Sequence, residues 1–146
     1  MIVRQAHITD LELIVPLFDQ YRVFYGQASD LNRAKVFLEA RFQHKESIIF
    51  VAFKEYIPVG FLQLYFSFSS VSLESTLILN DIYVNRNYRN LGVGSSLLKN
   101  AQEYCRKNQY KGLALETATD NPAQKLYEKL GWTRDSHCFH YFWPAK

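Results

Sequence analysis

The feature that most restricts the folds open to this chain is a glycine-rich turn between an apolar segment and a helical pattern. Residues 77–84 are mostly apolar and predict a buried strand, and residues 95–107 predict a helix. Arg89, Gly92 and Gly94 lie in the turn between them. Glycines let backbone N–H groups converge, and the first turn of a helix carries unpaired N–H groups and a partial positive charge. The turn therefore predicts a site for an anion such as phosphate or pyrophosphate.

The spacing of the glycines in this turn distinguishes between known classes of phosphate-binding site. The dinucleotide pattern G-x-G-x-x-G with an acidic residue about 20 positions later is absent, and so is the nucleotide-binding pattern G-x-x-x-x-G-K-[ST]. The sequence instead reads R-x-x-G-x-G between a strand and a helix. A second block follows, in which Asn121 is succeeded by Ala123, Tyr127 and the pair Gly131-Trp132.

These two blocks, in this order, resemble the GNAT superfamily of acyl-CoA-dependent N-acyltransferases, and the resemblance covers almost the whole chain. It implies an α/β (α+β) fold with a mixed central sheet of six to seven strands, about four helices, and two parallel strands that splay in the middle. With 146 residues, 48% of them hydrophobic, the chain is expected to form one domain, residues 1–146.

Hydrophobic periodicity and turn signals predict the individual elements. Strands are expected at 2–6, 47–53, 59–68, 76–85 and 112–118, with one or two more within 133–143. Helices are expected at about 9–25, 30–43, 95–107 and 121–130. The strand from Thr76, the central helix and the strand from Gly112 would form a right-handed crossover between parallel neighbours. Polar Asn80 and Asp81 interrupt the apolar strand and are consistent with a β-bulge there.

The resemblance also implies which residues hold acetyl-CoA as co-substrate. The backbone of residues 90–95, together with Arg89, is expected to bind the pyrophosphate, and the backbone amides of the strand before the turn are expected to pair with the pantetheine and to stabilise an oxyanion. The expected cofactor-binding residues are Ile82, Tyr83, Val84, Arg89, Asn90, Leu91, Gly92, Val93, Gly94, Ser95 and Asn121. No metal is expected.

Three side chains are candidates for proton transfer. Tyr127 occupies the position of the family's general acid, and a phenol of pKa about 10 can protonate a departing thiolate. A core role fits Tyr127 as well, because it lies on an apolar helix face. Glu116 matches the glutamate base of the ribosomal-protein N-acetyltransferases. Asp81 resembles an acid of the spermidine/spermine N-acetyltransferases, although Asn80 replaces the first of that branch's two acids. Each carboxylate could equally be a structural ion-pair or hydrogen-bond anchor.

Composition and charge limit the partners. The net charge is +3, and the dense basic cluster is confined to the glycine turn, which argues against a nucleic-acid-binding face. Cys105 and Cys138 show no metal-ligand spacing, and no stretch reaches transmembrane length. We expect a cytoplasmic N-acetyltransferase with a small-molecule or peptide amine as acceptor and no membrane partner. The sequence does not decide whether the protein forms a homodimer. A non-catalytic acyl-CoA-binding sensor with the same fold is the alternative.

Overall fold

The computed structural model describes residues 1–146, which contain five β-strands and four α-helices. In chain order these are β1 (Ile2–Gln5), α1 (Leu11–Phe24), α2 (Leu31–Gln43), β2 (Ser47–Lys54), β3 (Ile57–Ser69), β4 (Glu74–Val84), α3 (Val93–Lys107), β5 (Leu113–Ala114) and α4 (Gln124–Lys129). Single 3-10 turns precede α1 and α3. None of the helices is both long and apolar enough to cross a membrane.

The five strands form one mixed sheet in the order β1-β2-β3-β4-β5. The first four pair antiparallel, whereas β4 and β5 pair parallel, at Leu77 with Leu113 and Ile78 with Ala114. The expected crossover from β4 through α3 to β5 is therefore confirmed. Pairing between these two strands ends at Ile78, so no strand pairs with residues 79–84 on the β5 side of β4.

Helices cover the two faces of this sheet. The rings of Phe18 and Tyr21 on α1 pack against Phe61 of β3, with centroids 6.0 and 5.8 Å apart. On the opposite face, a Cβ added to Gly60 would lie only 3.2 and 3.3 Å from side-chain atoms of Val93 and Leu97. A glycine at position 60 thus lets α3 approach the sheet closely. Odd-numbered residues of β3 consequently face α1, and even-numbered ones face α3.

A β-bulge interrupts the ladder between β3 and β4, as the sequence suggested. Leu64 pairs with Leu79, but the preceding residue, Gln63, pairs with Asp81, so Asn80 is the additional residue. The bulge moves the alternation of β4 by one position. Leu79 shares the α3 face with Leu64, whereas Asp81 shares the α1 face with Gln63.

The contacts divide the chain into a larger unit, Met1–Glu116, and a smaller unit, Thr117–Lys146. The smaller unit contains α4 and no strand. The expectation of six to seven strands was therefore wrong, because residues 133–143 pair with no other strand. Phe139, Tyr141, Phe142 and Trp143 are instead 84–94% exposed. The fifth strand is also shorter than expected: it ends at Ala114 and not at Ala118.

Candidate active site

The free side of β4 presents backbone N–H groups at its carboxyl end. The Asn85 N–H donates a 2.8 Å hydrogen bond to the Val59 carbonyl, which makes these two residues a hydrogen-bonded pair of the antiparallel ladder. Hydrogen-bonded and non-hydrogen-bonded pairs alternate along such a ladder. The pairs of Val84 with Gly60 and Ile82 with Leu62 are then non-hydrogen-bonded, and the N–H groups of Ile82 and Val84 point away from β3. Beyond Ile78, no strand lies there to accept them.

The glycine turn leads from this end of β4 into the first turn of α3. Asn90 and Gly92 have φ values of +62° and +83°, and Gly92 precedes the first helical residue, Val93. The left-handed conformation at position 92 suits a glycine because it lacks the Cβ that strains other L-residues there. The first intrahelical bond is donated by the Ser96 N–H to the Gly92 carbonyl at 3.0 Å. Val93, Gly94 and Ser95 therefore carry N–H groups without helical partners, as an anion site requires. Leu91, in the same turn, is exposed.

Arg89 ties this turn to the strand. Its Nε donates a 3.0 Å hydrogen bond to the Val84 carbonyl oxygen, which points to the free side of β4 like the Val84 N–H. The guanidinium also lies over the rings of Phe24 and Tyr83, 5.5 and 5.6 Å from their centroids. These contacts hold an exposed positive charge beside the amides and the helix N-terminus.

Asp81 is buried on the α1 face, next to the bulge, with 3% of its surface exposed. One carboxylate oxygen accepts a hydrogen bond from Gln63 Nε2, and the other accepts one from Asn80 Nδ2 at 2.8 Å. Burial raises the pKa of Asp81 above its ordinary value, and hydrogen bonds from Gln63, Asn80 and Tyr21 oppose part of that rise. A carboxylate with a raised pKa is a better proton acceptor than an exposed one.

Gln63 is a residue that our sequence analysis did not identify. It is fully buried on β3, and its Oε1 has no hydrogen-bond partner. The signal in the sequence is one amide side chain inside the long apolar run of the third strand, where a polar residue is rarely buried without a purpose. The structure brings it directly against Asp81.

Two tyrosines lie around the same carboxylate. The Tyr21 hydroxyl donates to the Asn80 carbonyl at 3.3 Å, and burial together with the charge of Asp81 raises its pKa well above the usual range. The same two causes raise the pKa of Tyr65 to about 12. Both phenols therefore stay protonated at neutral pH, and Tyr21 acts as a hydrogen-bond donor beside Asp81.

Glu116 lies outside the strand on which it was expected. Since β5 ends at Ala114, Glu116 belongs to an irregular segment and its side chain is exposed. The expected strand at 112–118 is therefore wrong from residue 115 onward, where Glu116 lies. The carboxylate remains a candidate in a solvated position.

Tyr127 and Asn121 belong to the smaller unit. Tyr127 lies on α4, is 8% exposed, and its ring is 5.9 Å from that of Trp132. The helix begins at Gln124 and not at position 121, where the sequence predicted it to begin. Asn121 Oδ1 accepts a 2.9 Å bond from the Ala123 N–H in the turn before the helix. Asn121 Nδ2 donates to Thr117 Oγ1 at 2.9 Å. The expected closing residue, Gly131, has a φ of +93° and follows the last turn.

Known proteins are similar to this chain in sequence and in fold. The model of the acetyltransferase (GNAT) family matches residues 14–132. An uncharacterized N-acetyltransferase of Bacillus subtilis (strain 168), YhfO, is 45% identical over 142 residues, which cover 97% of this chain and 95% of the relative. A probable acetyltransferase of Haemophilus influenzae is 30% identical over 85% of this chain and 94% of its own. The crystal structure of a probable acetyltransferase superposes with a TM-score of 0.94 at 40% identity, covering 100% of this chain and 99% of that one.

The family model spans more than half of the chain, and both relatives are matched over most of their length. The solved structure superposes over the whole length of this chain, so the fold is the GNAT fold. The protein is an acyltransferase, and it belongs to the GNAT family of acetyltransferases.

Proposed function

We propose that this protein transfers an acetyl group from acetyl-CoA to a primary amine within a ternary complex of enzyme, acetyl-CoA and amine. The observation that carries the proposal is the continuity between the outward-facing amides of Ile82 and Val84 and the N-terminus of α3. An extended pantetheine arm can pair with the former while the pyrophosphate binds the latter. Arg89 connects the two through its bond to the Val84 carbonyl.

In this proposal, three sets of residues bind three different parts of acetyl-CoA. The N–H groups of residues 90–95 and the Arg89 guanidinium bind the pyrophosphate. The backbone of residues 82–84 binds the pantetheine, and Asn121 contributes a side-chain hydrogen bond further along the cofactor. The left-handed residues Asn90 and Gly92 support the first of these contacts, because they turn successive N–H groups inward.

The reaction is a direct acyl transfer. The amine nitrogen attacks the thioester carbonyl carbon, and a backbone N–H on the free side of β4, near Val84, stabilises the oxyanion that forms. The C–S bond then breaks, and the thiolate of coenzyme A takes a proton from the Tyr127 hydroxyl. A primary amine has a pKa of about 10.4, so a carboxylate must remove a proton before or during attack. We assign this proton to Glu116, directly or through a water molecule, and keep Asp81 as the rival base.

The acceptor in this proposal is a small amine, a polyamine-like amine or a peptide amine. An assay of acetyl-CoA with a panel of a monoamine, a diamine, an amino sugar and a peptide, read by release of the free thiol, tests it. Turnover with any amine above the rate of thioester hydrolysis supports the proposal. Tight binding of coenzyme A without turnover on the whole panel would instead favour the non-catalytic sensor.

Amide hydrogen exchange tests the cofactor geometry separately from catalysis. We expect the amides of Ile82 and Val84 to exchange rapidly in the free protein and to become protected when coenzyme A binds. The Tyr83 amide faces β3 and serves as the internal control, since it should be protected in both states. Unchanged exchange at Ile82 and Val84 under saturating coenzyme A would remove the pantetheine from this strand.

A further inference from the structure

The pair formed by Gln63 and Asp81 is more polar than the packing of β3 and β4 requires. Both side chains are buried on the α1 face, with exposed fractions of 0% and 3%. The carboxamide nitrogen of Gln63 donates to Asp81, which leaves Gln63 Oε1 buried with no donor. Buried polar atoms in folded proteins are nearly always paired, so an unpaired acceptor beside a carboxylate indicates that a donor is missing.

The Asp81 carboxylate determines which atom of the Gln63 carboxamide faces it. If the amide were turned over, Gln63 Oε1 would face an oxygen of ionised Asp81, and two acceptors would meet. With Nε2 on Asp81, the two groups together offer carboxylate and carbonyl oxygens to one bound group. Such a set of acceptors suits an alkylammonium, which has three N–H donors and a positive charge.

A ligand would have to displace the groups that now cover the pair. Asn80 is exposed, and its Nδ2 donates the 2.8 Å bond to Asp81 Oδ1 that an ammonium N–H would replace. The Tyr21 hydroxyl bonds to the Asn80 carbonyl over a long distance of 3.3 Å. The rings of Tyr21 and Tyr83, both partly exposed, pack together on this face, and they would contact the methylene chain of a linear amine.

We propose that Gln63 and Asp81 form a subsite for a second, non-reacting ammonium group of the acceptor, which makes the acceptor a linear diamine or a longer polyamine. This inference rests on the acetyl transfer proposed above. A carboxylate favours the charged form of an amine bound to it, whereas the attacking nitrogen must lose its proton. The pair therefore suits the nitrogen that remains charged throughout the reaction.

Calorimetry of the coenzyme A complex with 1,4-diaminobutane and with butylamine tests the subsite. We expect the wild type to bind the diamine at least about tenfold more tightly than the monoamine, and both Asp81→Asn and Gln63→Met to remove this preference. Asn80→Ala should keep or strengthen the preference, because it removes the donor that competes with the ligand. If the network were purely structural, the preference for the diamine would instead persist in all three variants or disappear in all three.

Asp10→Asn is the matched control, since it also removes one negative charge from a buried aspartate but at a site paired with Arg4. It should leave the preference for the diamine intact. Equal affinity of the wild type for the two amines, or a preference that survives in both Asp81→Asn and Gln63→Met, would overturn the subsite. Binding is measured without turnover, so a diamine preference in a protein that acetylates no amine would contradict the acetyl transfer and leave the subsite standing.

Discussion

Arg89 Nε donates a 3.0 Å hydrogen bond to the carbonyl oxygen of Val84, five residues earlier in the chain. This bond fixes a positive charge where the free side of β4 meets the glycine turn. The guanidinium has little freedom to leave, because Phe24 and Tyr83 also flank it. The charge is therefore already in position for the pyrophosphate that we propose binds here.

Removal of this charge should weaken coenzyme A binding. We expect Arg89→Ala to raise the dissociation constant about tenfold, since one charge-assisted contact is lost at an exposed site. The dissociation constant of Arg89→Lys should lie between those of the wild type and Arg89→Ala, because lysine keeps the charge and loses the bond from Nε. Calorimetry with coenzyme A measures this, with Arg86→Ala as the control that removes a charge from the neighbouring 3-10 turn. An Arg89→Ala variant that binds like the wild type would separate this side chain from the pyrophosphate.

The left-handed conformation of Gly92 should be needed both for folding and for binding. Gly92→Ala is expected to cost about 1 kcal/mol of stability from backbone strain and also to weaken coenzyme A binding several-fold, because the N–H groups of the turn shift. Gly26→Ala provides the control. Gly26 has a similar φ of +88° and an equally open space around a Cβ, so it should cost similar stability without weakening binding. Equal affinities of the two variants would place the anion elsewhere.

The hydroxyl of Tyr127 is predicted to matter for turnover and not for packing. Tyr127→Phe keeps the ring that packs near Trp132, so the unfolding temperature should change little. Turnover should fall by roughly 10² to 10⁴, while coenzyme A binding persists. Tyr104→Phe removes the hydroxyl of a partly buried tyrosine on α3 and should remain fully active. If Tyr127→Phe is also fully active, Tyr127 belongs to the core.

The exposed carboxylate of Glu116 should show its role in a pH profile. Glu116→Gln cannot accept a proton, so its rate on a monoamine should lie furthest below that of the wild type near neutral pH. The deficit should shrink as pH rises towards the pKa of the amine, because more acceptor is then already neutral. Asp120→Asn is the matched control at a nearby exposed carboxylate. A Glu116→Gln profile identical to that of the wild type would leave the proton to Asp81 or to water.

Asp10 and Asp81 should affect stability with opposite dependence on pH. The Arg4 guanidinium lowers the pKa of Asp10 to about 2, so its contribution is present above the ordinary value of 3.8 and disappears as pH falls towards 2. Asp10→Asn should cost roughly 1 kcal/mol at neutral pH, because the partner Arg4 is partly exposed. The pKa of Asp81 is raised, so its ionisation destabilises the fold as pH increases.

Thermal unfolding between pH 2 and pH 8 distinguishes the two aspartates. Asp81→Asn should be at least as stable as the wild type at pH 8, with the difference closing near and below pH 3.8, where Asp81 is protonated in both folded and unfolded chains. A large loss of stability for Asp81→Asn that is confined to high pH would mean that the ionised carboxylate stabilises the fold.

Local patterns were sufficient to predict the centre of this fold. Alternation and turn signals identify β4, the glycine turn and α3, and the two polar residues 80 and 81 indicate the bulge. They cannot show which side chain lies opposite Asp81, since the partner is on another strand. Gln63 was missed for that reason: its polarity is visible in the sequence, but its neighbour depends on the register of the β3–β4 ladder.

The segments after Ala114 were predicted less well. Leu113, Leu115 and Thr117 alternate as a strand does, yet only two residues pair with β4. The aromatic run from Phe139 to Trp143 has high strand propensity, but propensity does not provide a neighbour for the ladder. Strand length and strand existence are set by what lies alongside, and a local sequence pattern does not show which segment that is.

The short pairing between β4 and β5 has a further consequence for the free protein. From Leu79 to Val84, β4 is an open edge in the middle of the sheet, and unpaired strand edges are sites where other chains can add and aggregation can begin. The Val84 carbonyl within it already has a partner in Arg89, whose charge opposes the approach of a neighbouring strand. We therefore expect the arginine that we assign to the pyrophosphate also to oppose unwanted β-pairing of the empty protein.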